Sequence, residues 1–313
     1  MISPESDVAL VLPITQVPLE DRAVLRVEGP EGRSFLQGLI SNDVEKVTPE
    51  RAIYAALLTP QGKFLFDFII AQHGDGLLFD TEAARADQLL KRLTMYKLRA
   101  KATVTDVSKD WCVHAVFPAQ TDLLPGAART DGDTLFVADP RHAALGLRII
   151  RPRSAALPDL LAGVSQGTME DYTRHRIALG VPQGGIDMVP DASFLLESNV
   201  EEMHGVDFQK GCYVGQELTA RTKHRGSVRK RILPLDLEGG VPETGSAVEA
   251  GGRDIGTVTS GVALGPDRAR VLALMRIDRL SEAEAAGHGL TIAGREAVLE
   301  KPDWVVLPKI EGA

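Results

Sequence analysis

The sequence predicts an α+β protein with a small β-barrel at its C-terminal end. Three predicted strands followed by a helix, between about residues 52 and 96, form an α+β pattern. After Gly226 the chain changes to short strands separated by glycine turns, which is typical of a small barrel. Hydrophobic residues make up 44% of the 313-residue chain, enough for a sizeable core, and the length indicates two or three domains.

The elements before Gly226 follow from periodicity and turn residues. Phe35, Leu36, Leu39 and Ile40 recur at helical spacing, and Pro60-Gln61-Gly62-Lys63 separates two apolar runs as a hairpin turn would. Thr81 is the expected N-cap of the second helix. The predicted strands are 22–27, 52–58, 64–71, 77–80, 102–107, 111–117, 135–138 and 146–150, with a loop over 118–133. The predicted helices are 31–40, 81–96, 169–179 and one that begins near Gly215.

The barrel strands are predicted at 231–237, 246–249, 256–264, 269–277 and 303–308. The domain boundary is therefore expected near residues 226–230. We expect one block over residues 1–225 and a barrel domain over residues 226–313.

Composition excludes several classes of protein. The net charge is −8 and the isoelectric point is about 5.5, which argues against a mainly electrostatic nucleic-acid or membrane binder. Two cysteines do not make a disulfide framework, so a reducing compartment is expected. The first 18 residues lack a recognisable signal or transit peptide, and no apolar run is long enough to span a bilayer. The predicted location is cytoplasmic.

Asp67 lies in the middle of an apolar strand. Alternation divides that strand into two faces, Phe64, Phe66, Phe68 and Ile70 against Leu65, Asp67 and Ile69. Asp67 is therefore either a solvent-facing or edge position, or a buried functional carboxylate, and the pattern leaves both interpretations open.

The segment Lys210–Glu217, with sequence KGCYVGQE, has the composition of a reactive cysteine site. A thiol reacts as the thiolate, and its pKa falls near cations and helix N-termini. Lys210 and the helix that follows both favour a reactive Cys212, with His204 or His224 as candidate bases. The alternative is a buried structural cysteine, which is the more usual environment of a lone cysteine.

The cysteine count limits any metal chemistry. Iron–sulfur clusters usually need four protein ligands, mostly cysteine. The chain has only Cys112 and Cys212, on distant predicted elements, so any cluster must share ligands with a partner, a second copy or a small thiol. Cys112 and His114 share a strand face without a third ligand nearby, so we expect a structural pair and no metal site.

Basic residues gather after the cysteine motif. Cations at a helix C-terminus are common, but six in eleven residues is an excess in an acidic protein. The segment is either a solvated face or a site for a polyanionic ligand. The six residues are Arg221, Lys223, Arg225, Arg229, Lys230 and Arg231.

The KGCYVGQE segment resembles the signature of the YgfZ-type folate-binding proteins, which are iron–sulfur cluster assembly and repair factors related to the glycine-cleavage T-protein, an aminomethyltransferase. Together with Leu196–Asn199, it is most similar to the branch that contains the mitochondrial [4Fe–4S] maturation factor. Arg176–Pro182 and Gly256–Gly261 also resemble family segments. The resemblance implies a three-domain T-protein-like fold, with two interleaved α+β, ferredoxin-like units around a central pocket and a C-terminal barrel.

The resemblance also implies site residues and tetrahydrofolate as cofactor. Asp67 corresponds to the catalytic aspartate of the T-protein and Glu197 to a pterin-binding glutamate, whereas Ala178 replaces another T-protein glutamate. This departure makes aminomethyl transfer unexpected and leaves folate binding in place. The remaining cofactor contacts are expected from Tyr213, Gln216 and Glu217, with Arg229 and Arg231 near the glutamyl carboxylates.

Three functions follow. The first is a folate-binding accessory factor that works with iron–sulfur assembly or client proteins, with Cys212 as the working thiol beside Lys210. The second is a tetrahydrofolate-dependent one-carbon transferase that uses Asp67. The third is a binding module without chemistry.

Overall fold

The computed structural model describes residues 14–118, 123–226 and 228–307. Before the barrel, the strands are β1 (Thr15–Pro18), β2 (Arg22–Glu28), β3 (Ile53–Leu58), β4 (Phe64–His73), β5 (Gly76–Glu82), β6 (Thr103–Asp106), β7 (Trp111–Phe117), β8 (Ala128–Asp131), β9 (Thr134–Ala138), β10 (Leu147–Pro152) and β11 (Ser165–Gln166). The helices of this part are α1 (Gly32–Gln37), α2 (Ala86–Lys97), α3 (Met169–Ala178) and α4 (Gln216–Arg225).

These strands form two sheets whose segments alternate along the chain. One sheet has the order β3-β4-β5-β2-β6, and the other has the order β11-β1-β7-β10-β9-β8. β1 pairs with β7, and the chain then builds the whole five-stranded sheet before it returns to the six-stranded one. Since β1 and β2 are neighbours in sequence but belong to different sheets, the two sheets are interleaved.

The five-stranded sheet is buried on both faces. Leu36 of α1 and Leu89 of α2 pack with Phe66 and Phe68 on one face. The opposite face contributes Tyr54 and other side chains to a core shared with β7, β9 and α3. Burial on both faces explains why β3 is a continuous apolar run rather than an alternating one.

The predicted alternation of β4 is wrong at its start. The pairing of β3 with β4 shifts register between Leu57 and Leu58, which makes a β-bulge. Phe64 therefore lies in the core that Tyr54 shares, while Leu65 joins Phe66 on the helix-covered face. Asp67 remains on the opposite face from Phe66, as the alternation predicts.

Two further local predictions need correction. Thr81 is a buried residue of β5 that donates a hydrogen bond to the backbone carbonyl of Asp67, and α2 begins only at Ala86 after a short 3₁₀ turn. The segment predicted as a loop over 118–133 contains β8, which pairs with β9. No helix within the described ranges is long and apolar enough to span a membrane.

Residues 230–299 form a closed barrel, and the predicted fold class is confirmed. The sequence does not predict the last hairpin of the barrel, residues 290–299. The predicted strand over 303–308 is wrong in its described part, because residues 303–307 are not a strand. Pro308 lies outside the described residues. The barrel elements are β12 (Lys230–Glu238), β13 (Ala247–Ala250), β14 (Arg253–Gly265), β15 (Arg268–Arg276), α5 (Ile277–Ala285), β16 (Leu290–Ile292) and β17 (Arg295–Leu299), and the strand order is β12-β15-β14-β13-β16-β17.

A buried carboxylate joins the barrel to α3. Asp187 accepts hydrogen bonds from the guanidinium of Arg176 at 2.9 Å and from the hydroxyls of Thr259 and Ser260 at 2.7 and 2.6 Å. Arg176 and Asp187 are both buried, so each depends on the other for charge compensation.

Candidate functional site

Cys212 is exposed on the loop that precedes α4. The backbone around it is firmly attached to the connection between α1 and β3. The amide of Val214 donates to the carbonyl of Gly38 at 3.1 Å, and the ammonium of Lys210 donates to the carbonyls of Ile40 and Asn42, both at 2.7 Å. The loop thus presents an accessible thiol from a backbone that is held on both sides of it.

Lys210 points into the protein. Its side chain is buried and lies 5.2 Å from the centre of the Tyr213 ring. Burial lowers the pKa of its ammonium to about 8, although Asp43 and Asp207 act in the opposite direction. Its described hydrogen bonds anchor the loop, while its predicted effect on the Cys212 thiol remains a prediction.

Asp207 is a second anchor of the loop. One carboxylate oxygen accepts from the amides of Gln209 and Lys210, at 2.6 and 3.1 Å, and the other binds the ammonium of Lys46 at 2.5 Å. Burial tends to raise the pKa of Asp207, but Lys46 and the two amides outweigh it, so the pKa lies below its usual value. The carboxylate therefore fixes both the loop and Lys46.

The rest of the motif packs inward or onto α4. Gly215 has φ +83°, and a Cβ atom there would lie 2.4 Å from the carbonyl oxygen of Thr59, so only glycine fits against this turn. Tyr213 is buried, and burial raises its pKa to about 12. Gln216 is half-buried, whereas Glu217 is exposed and lies 3.8 Å from Arg221.

A cavity of about 600 Å³ lies beside the loop anchors. Asn42 and Lys46, which contact the loop through Lys210 and Asp207, form part of its wall. Phe208 adds partly exposed aromatic surface, and His204 lies at φ +58° in the wall. Tyr54 also contributes to the wall, although it is only 1% exposed. Cys212 is not among the residues that line this cavity, so the thiol and the cavity are separate features that share supporting residues.

Asp67 does not line this cavity, but it contacts Tyr54, which does. Its carboxylate is buried and accepts a 2.9 Å hydrogen bond from the Tyr54 hydroxyl. Burial, followed by the neighbouring Asp67 charge, raises the pKa of the Tyr54 phenol well above its usual value. Gly184 packs against the other carboxylate oxygen so closely that a Cβ atom at residue 184 would lie 2.1 Å from that oxygen. Asp67 is therefore buried, not solvent-facing, and its functional role stays a prediction.

A buried ionic network between the two sheets was missed by sequence reasoning. Asp80 of β5 pairs with Arg22 at 2.5 Å, and Asp139 pairs with Arg141 at 2.7 Å and with Arg148 at 3.2 Å. Arg148 also lies 3.4 Å from Asp80, which joins the two halves. The sequence does contain a signal for this network, because Asp80 in β5 and Arg148 in β10 are charged residues inside apolar strands, as Asp67 is in β4.

Glu197 lines a different cavity from Tyr54. Its neighbours across a space of about 160 Å³ include Leu218 and Thr222 of α4. Burial raises the pKa of the Glu197 carboxyl, although three nearby cations oppose this effect. The structure thus does not bring Asp67 and Glu197 to one described cavity.

Local carboxylates neutralise part of the basic segment. Arg231 is buried, binds Glu202 at 2.8 Å and donates to the backbone carbonyl of Leu196, and burial lowers its pKa. Lys223 pairs with Glu201. Arg229 is exposed and makes no side-chain ion pair within the described ranges. Neither Arg229 nor Arg231 lines the cavity that Tyr54 lines.

Cys112 and His114 form a local contact. The sulfur lies 3.6 Å from Nε2 of His114, and burial followed by Arg151 and Arg153 lowers the pKa of that imidazole to about 4. Within residues 14–118, 123–226 and 228–307, no three histidine, cysteine or acidic side chains are grouped as metal ligands.

Comparison with known proteins identifies the family. Residues 20–133 match the GCVT N-terminal domain, and residues 229–307 match the C-terminal β-barrel domain of CAF17. The mouse protein named iron–sulfur cluster assembly factor IBA57, mitochondrial, is 37% identical over 268 residues, which cover 80% of this chain and 73% of the mouse protein. The chain belongs to the IBA57 family. The human protein of the same name is 35% identical over 264 residues, covering 78% of this chain and 73% of the human one.

These IBA57 relatives confirm the predicted resemblance and correct one prediction. The predicted cytoplasmic location is wrong, because the relatives are named as mitochondrial proteins. Among solved structures, the glycine cleavage system aminomethyltransferase T from Bartonella henselae superposes with a TM-score of 0.73 over 94% of this chain and 86% of its own. At 17% identity this likeness establishes a shared fold alone.

Proposed function

We propose that this member of the IBA57 family acts in the assembly of iron–sulfur proteins through Cys212. The observation that carries the proposal is an exposed thiol on a loop anchored by Lys210, Asp207 and the amide of Val214. A reactive group needs both access and a fixed position, and this loop provides the two together.

The chemistry assigned to Cys212 is ligation of a cluster that is cargo. The thiol loses its proton to solvent, and the thiolate then displaces one ligand of the incoming cluster, which stays with the molecule that brought it. Most clusters take four ligands, so the remaining positions belong to the assembly or client protein that brings or receives the cluster. Lys210 and Asp207 hold the loop during this exchange.

Tetrahydrofolate is the ligand we assign to the cavity beside the loop. The volume of about 600 Å³ suits an organic cofactor, and the partly exposed Phe208 offers aromatic surface to a pterin ring. Aminomethyl transfer by Asp67 has less support, because the carboxylate is buried, with one oxygen bonded to the Tyr54 hydroxyl and the other packed against Gly184. We therefore assign folate binding without transfer of a one-carbon group.

Complementation tests the role of Cys212. In a strain that lacks its own IBA57-family protein, the wild-type chain should restore the activity of [4Fe–4S] enzymes and Cys212→Ser should not. Cys112→Ser is the matched control and should restore activity, since Cys112 lies in a separate strand. Thermal unfolding of both purified variants checks that they are folded. Full restoration by Cys212→Ser would refute the proposal.

A further inference from the structure

The charges around the 600 Å³ cavity are unevenly compensated. Of its charged wall residues, Lys46 is paired with Asp207 and Glu201 is paired with Lys223. Arg51 is exposed and has no ion pair or side-chain hydrogen bond with any described residue. Among the described residues of the cavity wall, Arg51 is therefore the cation without a compensating carboxylate.

Arg51 and Lys46 come from one short connection between α1 and β3. Lys46 ends a 3₁₀ turn, Val44–Lys46, and Arg51 closes the next turn by exchanging backbone hydrogen bonds with Thr48 at 2.9 and 3.1 Å. Because only four residues separate them, both cations come from the same part of the cavity wall. A guanidinium with an ammonium nearby in the chain is a suitable site for a carboxylate.

The remaining wall combines apolar and polar residues. Phe208 provides a partly exposed ring, Leu124 and Pro125 provide apolar surface, and Asn42 and His204 provide polar groups. A ligand that matches the shape and charge of this wall has a flat, weakly polar body and an anionic end. Carboxylates on a flexible tail meet this requirement, and a neutral pterin alone does not.

We propose that Arg51, assisted by Lys46, binds the carboxylate end of the ligand in this cavity, so that the site selects a flat heteroaromatic compound with an acidic tail. For tetrahydrofolate this end is the glutamyl tail, and the inference rests on the folate part of the proposed function. It replaces Arg229 and Arg231, which the sequence predicts for this contact and which lie outside the cavity wall.

Two ligands that differ in the tail test the proposal. Calorimetry under anaerobic conditions compares tetrahydrofolate with 6-methyltetrahydropterin, which has the ring and lacks the glutamyl tail. Arg51→Gln should weaken tetrahydrofolate binding about tenfold, the loss of one charge-assisted contact, and should leave 6-methyltetrahydropterin binding within about twofold. Arg229→Gln is the matched control, an exposed arginine outside the cavity, and should bind both ligands as the wild type does.

The outcomes separate this inference from the proposed function. Equal losses for both ligands, no loss for either, or the same loss in Arg229→Gln would overturn the role of Arg51. If the wild type binds neither ligand, the folate assignment and this inference both fail, whereas the role of Cys212 is decided separately by complementation. Raising the salt concentration from about 50 to about 300 mM should weaken tetrahydrofolate binding to the wild type more than to Arg51→Gln.

Discussion

Lys210→Met removes the ammonium that anchors the cysteine loop and keeps a side chain of similar length. The wild-type ammonium donates to two carbonyls of buried residues, Ile40 and Asn42, and hydrogen bonds from charged groups contribute about 1.5–3 kcal/mol each. Burial of the charge, which lowers the pKa of Lys210 to about 8, offsets part of this gain. We expect the variant to lose about 1–2 kcal/mol of unfolding free energy.

Two measurements separate anchoring from activation of the thiol. Urea unfolding gives the stability change, with Lys109→Met as the control because Lys109 is an exposed lysine. Iodoacetamide alkylation over a range of pH, in a Cys112→Ser background, reports on Cys212 alone. If Lys210 is an anchor, the midpoint of the pH–rate profile should move by less than about 0.3 units, a small electrostatic effect.

The opposite result would refute this reasoning. A midpoint that rises by about one unit, with stability unchanged, would mean that the ammonium acts on the thiol across the loop. Lys210 would then have the electrostatic role that its sequence position predicts.

The other predictions concern buried features and local packing. Asp139→Asn should cost about 3–5 kcal/mol of unfolding free energy at pH 7, because two buried arginines lose a carboxylate. Those arginines outweigh burial and hold the pKa of Asp139 below its usual 3.8, so this stability is present above about pH 4 and the deficit of the variant should shrink as pH falls. Urea unfolding from about pH 3 to 7 measures the deficit, and a constant deficit would contradict the prediction. Gly184→Ala should destabilise the protein by about 1–3 kcal/mol in thermal unfolding, because its Cβ atom would clash with Asp67. Gly211→Ala should be neutral, because no described atom lies within 4 Å of its Cβ position. Equal effects of the two substitutions would contradict the packing argument. Thr168→Ala should cost about 1 kcal/mol in urea unfolding by removing the N-cap of α3, and no change would count against that cap.

Much of the fold was predictable because its signals are local. The hairpin of β3 and β4 is marked by two apolar runs around a turn, and α3 is marked at its end by Gly180, which has φ +74°. The start of α2 was misplaced because Thr81 is a good N-cap in isolation but is buried in β5 in this protein. Tertiary contacts override such local preferences.

The site was predictable in part. The composition of KGCYVGQE predicted an accessible thiol, and Cys212 is exposed. The partners of Lys210 were not predictable, because they are backbone carbonyls about 170 residues away in the chain. The cavity at Arg51 was missed for the same reason, since its wall combines segments that only the folded chain brings together.

Asn42 contributes both to the wall of the cavity and to the support of the cysteine loop. Its side-chain amide donates to the carbonyls of Tyr54 and His204 in the cavity wall, both at 2.8 Å, and its own carbonyl accepts from Lys210 under the thiol loop. A ligand that shifts Asn42 therefore alters the support of Cys212. Thermodynamic linkage makes the effect reciprocal, so a partner that displaces the loop must change the affinity of the cavity for its ligand by the same factor.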